Sequence, residues 1–309
     1  MGEAFALAAA AFWAISAFLF RSAGAQVSPL ILNAAKGTLA VGVLGVWFLA
    51  TGTSIPEHTS ASAWWWLLLS GVIGIGIGDT AFFSALNRLG EQTTVLVAET
   101  FAPPLTALLA LLWMGEQLTP QTCFGIFVTL CGVSWVLSER PARPKPAKNT
   151  AAPEHYLLPL SLAILAAACQ SIGAVISRDI LLESGMGPAE SSFIRMAGGL
   201  AMLAIVIPVS SRLSRPRPKA NNQPKTRWTK RTILYVLLAT LLGTLLGIVC
   251  QQASLKYTSA GISQTLIATS VLFVLPISLI RGHRPSRRSI IGSLVGVIGV
   301  AVICWQPAT

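Results

Sequence analysis

The chain has 309 residues, 53% of them hydrophobic and only 11% charged, with a formal net charge of +11 and a mean hydropathy of +0.68. A soluble domain carries roughly 25% charged residues, and no single core of this length could hide so much apolar surface. An ordinary soluble fold is excluded, and lipid is the solvent that accepts these side chains. The excess positive charge is confined to three inter-helix loops. It therefore reads as orientation charge at a membrane surface and not as a nucleic-acid interface.

A spanning helix needs about 20 largely apolar residues, and ten segments qualify. They lie near 3–21, 29–50, 64–86, 92–113, 120–138, 156–177, 188–210, 231–252, 260–280 and 288–306. Each run is long and lacks period-2 alternation, so each is helix and not strand. In lipid only helices and closed barrels satisfy every backbone group. The first segment has Glu3 as its only early ionisable side chain. It is therefore expected to stay as a membrane helix, because a cleavable signal peptide starts with a positive region. Trp64, Trp65 and Trp66 open the third segment and read as interface anchors. The glycine-rich run at 72–78 lies inside that segment. A phosphate loop needs a strand before it and a helix after it, so close helix packing through Gly74 and Gly78 is the expectation. Pro103 and Pro104 fall mid-helix in the fourth segment, where they remove backbone hydrogen bonds. A kink lining a cavity and simple packing are both open readings there.

Residues 139–155 and 211–230 are Pro-rich, polar and basic, with no apolar face to bury. The first stretch divides the chain into residues 1–138 and 156–309, each with five predicted helices. The halves look alike. Gly125 and Gly132 of helix five match Gly292 and Gly299 of helix ten at a common offset of 167, which also puts Gly115-Glu116 on Gly282-His283. Ala85 and Arg88 match Ala253 and Lys256 with one residue of slip, Lys36 matches Arg195, and Arg21 matches Arg178. This is an internal repeat. Five helices is an odd number, so the second repeat runs upside down relative to the first, as in transporters that rock about a central site. The fold class is thus an all-α membrane protein of ten transmembrane helices in two inverted five-helix repeats. The loops after helices five, seven and nine hold sixteen Lys and Arg, while those after helices two and four hold none. The basic loops share one face, which the positive-inside rule puts in the cytoplasm, with both termini outside.

Residues 78–125 carry Ala85-Leu86 with Gly90, then Pro103 and Pro104, Gly115-Glu116, and Gly125 with Gly132. This ordered set resembles the EamA-type branch of the drug/metabolite transporter superfamily. Trp13 and Lys36 also look like that family's first and second helices. The resemblance covers the whole chain, strongly in the first half and loosely in the second. It implies a multi-pass transporter of the cell (inner) membrane that handles small molecules. The second half departs from the pattern, with Gly282-His283 in place of a Gly-Glu and Ser270-Val271 where a proline is usual. The family is generally drawn with both termini in the cytoplasm, opposite to the charge rule applied here.

Ionisable side chains inside a membrane are costly and usually face a cavity or a partner. Four qualify: Lys36, Asp79, Glu99 and Arg195. The first three lie seven residues from helix ends on the basic face, so about 10 Å below it at 1.5 Å per residue. Two carboxylates beside one amine leave an acid whose proton can be mobile. A static pair holding helices together is the alternative. Arg195 occupies the equivalent depth in the other half, with Gln252 and Gln264 as expected neighbours. It reads either as an anion-binding group or as an arginine reaching to the interface.

The five cysteines lie in apolar segments without CxxC spacing, and His58, His155 and His283 fall in loops. Neither a metal site nor any other cofactor site is expected, and no catalytic arrangement sits at membrane depth. No ATP-binding segment is present, so coupling would use protons, a counter-ion or exchange. The leading reading is a secondary transporter, an exporter of small polar or amphiphilic metabolites. The alternatives are a channel or non-transporting scaffold, and less so a membrane-embedded enzyme.

Overall fold

The computed structural model describes residues 1–24, 27–53, 59–89, 91–137, 157–213, 228–273 and 287–304. The basic stretch 139–155, most of 211–230, and Gly282-His283 lie outside them. The described residues form helices without strands. In chain order these are α1 (Gly2–Gly24), α2 (Pro29–Thr51), α3 (Ala61–Leu89), α4 (Glu91–Met114), α5 (Pro120–Leu137), α6 (Leu157–Glu183), α7 (Pro188–Leu213), α8 (Lys230–Tyr257), α9 (Ala260–Phe273) and α10 (Arg287–Cys304). Seven described helices are long and apolar enough to cross a membrane: α1, α2, α3, α4, α6, α7 and α8. The described apolar stretches of α9 and α10, Ala260–Phe273 and Ile290–Ile303, are shorter. The part of the ninth predicted segment beyond residue 273 lies outside the described residues.

Local chemistry sets the helix ends. Ser60, Thr229 and Ser259 cap α3, α8 and α9, each hydroxyl accepting from a backbone N–H three residues on. Pro29 begins α2, where its missing N–H costs nothing, and Gly52 ends it at φ 64°.

Two helices are interrupted in a way that hydropathy does not reveal. Within α3, Val72–Gly78 forms wider π-type turns, and within α8, Thr240–Leu246 does the same. Wide turns leave carbonyls poorly paired within the helix, and such bulges gather at functional sites. Neighbouring side chains supply donors. Asn33 Nδ2 donates to the Ile75 carbonyl at 2.9 Å, and Trp13 Nε1 donates to the Gly243 carbonyl at 2.9 Å.

Packing respects an exchange of the two halves. α3 lies on α6 and α7, while α8 lies on α1 and α2. α4 packs on α6, and α9 on α1. α5 meets its counterpart α10, and α2 meets α7. Small residues permit these approaches. A Cβ on Gly132 would fall 2.3 Å from the backbone nitrogen of Gly296, and one on Gly71 would fall 1.9 Å from the Arg195 carbonyl oxygen. The expected packing role of the glycine run is seen at Gly78, where a Cβ would lie 3.0 Å from that of Cys169 on α6. On the outer surface Trp65 and Trp66 are exposed, and Trp66 meets Trp113 edge to face.

Candidate functional site

Between the halves lies a cavity of about 180 Å³. Its apolar wall includes Trp13, Phe20, Phe82 and Phe83, and its polar lining includes Lys36, Asp79, Glu99, Arg195, Gln251 and Gln264. Of the six residues named from sequence as a substrate or proton pathway, Lys36, Asp79, Glu99, Arg195 and Gln264 line this cavity and Gln252 does not.

Lys36 is 4% exposed, and its ammonium forms an ion pair with Asp79 across α2 and α3. The ammonium also stands 5.1 Å from the Phe83 ring centre and 5.9 Å from that of Phe20. Aromatic faces attract a desolvated cation, so Lys36 is held on three sides. Asp79 begins the α-helical turns that follow the π segment of α3, and its side chain keeps 29% exposure.

Glu99 lines the same cavity but makes no ion pair among the described residues. Its one described side-chain contact is a long hydrogen bond of 3.5 Å accepted from Ser270 Oγ. All three groups of the depth argument line this cavity. Depth does not resolve the pairing, because helix rotation decides which carboxylate meets the amine.

Arg195 does not reach to the interface. It is 1% exposed, and its guanidinium Nε and Nη1 have no hydrogen-bond partner among the described residues. Its Nη2 sits where Gly74 and Gly173 lack side chains: a Cβ on either glycine would stand 3.2 Å from it.

Gln264 lines the cavity, but Gln252 does not. Gln252 is fully buried between helices, its Oε1 accepting from Ser177 Oγ at 2.5 Å and Ser191 Oγ at 3.1 Å. The preceding residue, Gln251, takes the place expected of it in the wall. One residue along a helix turns a side chain by about 100°, and sequence alone did not set that phase. Pro103 and Pro104 lie within a continuous α4 and do not line the cavity; Pro103 is buried and Pro104 exposed. Both lack the N–H that would pair with the carbonyls of Glu99 and Thr100. Their effect on the site therefore comes through the backbone beside Glu99.

Sequence reasoning missed a second polar cluster, at the opposite ends of the helices. Arg178 Nε pairs with Glu116, and Arg178 Nη1 donates to the carbonyls of Leu255 and Thr258. Glu116 Oε2 accepts from the Ala260 amide at 3.1 Å. One ion pair thus joins the α4–α5 turn, the end of α6 and the α8–α9 turn. Glu3 and Thr258 add a hydrogen bond of 3.0 Å on the same face. The matched pairs Arg21 with Arg178 and Glu116 with His283 were the available signal, but they did not show that Arg178 and Glu116 meet.

Comparison with known proteins agrees with this architecture. The profile of the EamA-like transporter family matches residues 1–138 and again 157–305. A solved crystal structure superposes with a TM-score of 0.74 at 21% identity, covering 98% of this chain and 96% of the other, which is a likeness of fold. No curated protein matches. With two family-matched halves enclosing one charged cavity, this multi-pass membrane chain belongs to the EamA-like transporter family.

Proposed function

We propose that the protein is a secondary transporter that exports small polar or amphiphilic metabolites by alternating access, with Lys36, Asp79 and Glu99 on the substrate or proton pathway. The observation that carries this reading is the cavity between the halves, where charged groups from both halves meet apolar walls. The exchange-symmetric packing supports two inverted repeats, 1–138 and 156–309, joined by the basic stretch 139–155. Rocking of one repeat against the other would expose the cavity to each face in turn. Glu99 has no cationic partner among the described residues, which leaves it free to exchange a proton as the cavity changes face.

The basic loops favour a cytoplasmic position for their face, in the cell (inner) membrane. Both termini then lie outside, and a C-terminal reporter active only in the cytoplasm is expected to stay dark. A bright reporter reverses the orientation. For the activity itself, the purified protein in vesicles loaded with a metabolite panel is expected to release a subset of solutes, saturably and faster under an imposed pH gradient. Unsaturable ion conduction would replace this reading with a channel. Absence of any flux from correctly inserted protein would favour a scaffold.

A further inference from the structure

We infer that Arg195, Gln251 and Gln264 form a subsite for the carboxylate of a monoanionic organic acid, a substrate class that rests on the transporter reading above. Three elements, α7, α8 and α9, bring these side chains to one cavity. All three are almost fully buried, at 1%, 2% and 2% exposure. Each has unspent donors: Nε and Nη1 of Arg195, Nε2 of Gln251 and Nε2 of Gln264. Buried donors without acceptors are rare and call for an explanation. A ligand with a planar pair of acceptor oxygens supplies one, and guanidinium matches carboxylate in shape as well as charge.

Charge selects the class further. Lys36 pairs directly with Asp79, whereas Nε and Nη1 of Arg195 touch no acceptor among the described residues. A carboxylate brings one negative charge, whereas a phosphate monoester brings about 1.5 to 2 into a wall that already holds Asp79 and Glu99. The remaining surface, from Trp13, Phe20, Phe82 and Phe83, suits an apolar body on the acid. Gly74 and Gly173 position the guanidinium by leaving room for Nη2.

The test is equilibrium dialysis of the purified full-length protein with acetate, butyrate and 3-phenylpropionate, each against its uncharged amide. Wild type is expected to hold at least one acid roughly tenfold or more tighter than its amide, the scale of a charge-assisted hydrogen bond. Arg195→Gln is expected to erase that difference and Arg195→Lys to retain part of it. Gly74→Ala, whose new Cβ presses on the flexible end of Arg195, is expected to narrow the preference for acid over amide. The inference is overturned if no acid outbinds its amide, or if Arg195→Gln folds and keeps the preference. Inorganic phosphate displacing 3-phenylpropionate at equal concentration also overturns the carboxylate class. Because dialysis needs no transport, acid preference without vesicle flux would sink the transporter reading alone. Flux of neutral solutes without acid preference would sink the subsite alone.

Discussion

Asp79→Asn is expected to lower transport by about a hundredfold or more, and to lower thermal stability in detergent as well. The substitution keeps shape and removes the counter-charge of Lys36, which is 4% exposed. An uncompensated lysine at bilayer depth costs about 2.5–3.5 kcal/mol, and a barrier raised by that much slows a step by roughly a hundredfold. The doubly neutral Lys36→Met/Asp79→Asn protein has no orphaned charge, so its melting temperature is expected to recover toward wild type while transport stays low. Glu99→Gln should separate the two roles differently. Its only described side-chain partner is Ser270 at 3.5 Å, so stability is expected to hold while acceleration by a pH gradient disappears. If Asp79→Asn and Glu99→Gln proteins insert stably and transport normally across pH, the charges are structural and the proposed pathway is wrong.

Glu116→Gln is expected to open the face opposite the basic loops. The Glu116–Arg178 pair ties the α4–α5 turn to α6, and through Ala260, Leu255 and Thr258 to the α8–α9 turn. Both side chains are largely buried, at 14% and 12% exposure. Breaking a buried pair by removing one partner costs about 3–5 kcal/mol. That cost falls only on the state in which the tie is made, so the population shifts toward the conformation with this face open, by roughly a hundredfold if most of the loss is state-specific. A reporter cysteine at Ile267, which lines the cavity, in a background lacking the five native cysteines, reads the shift. A membrane-impermeant thiol reagent applied from that face should label it at least about tenfold faster in Glu116→Gln. Equal labelling in a folded protein would mean that the tie is a static brace. Arg178→Gln should reproduce the effect, and the double substitution should add little, because both remove one interaction.

The Lys36, Asp79 and Glu99 side of the cavity lies toward the basic face, with Lys36 early in α2, Asp79 late in α3 and Glu99 early in α4, while Arg195, early in α7, and Gln251, late in α8, line it from the other side. The Arg178–Glu116 tie lies at the other helix ends. This asymmetry gives the two faces different chemistry. On the cavity side, Phe20, Phe83 and Leu86 pack with Val27, Leu32 and Val236 in an apolar cluster. The opposite side is held by charge and carbonyls. Alternating access needs each closure to be worth only a few kcal/mol, and apolar contacts and a single ion pair are both of that size.

By itself the sequence determined the solvent, the helical class and the twofold likeness of the halves. These follow from hydropathy, run length and fixed spacing, which are one-dimensional properties set by bilayer thickness. It also placed Lys36, Asp79 and Glu99 at one depth, because rise per residue is constant along a helix. Tertiary structure alone decided what depends on helix rotation and on contacts between distant segments. It chose Asp79 over Glu99 as the partner of Lys36, and Gln251 over Gln252 for the cavity wall. It made the glycine run a π segment, seated Arg195 between Gly74 and Gly173, and joined Glu116 to Arg178. Each outcome turns on a rotation of about 100° per residue or on side chains meeting across helices, and neither is written in hydropathy.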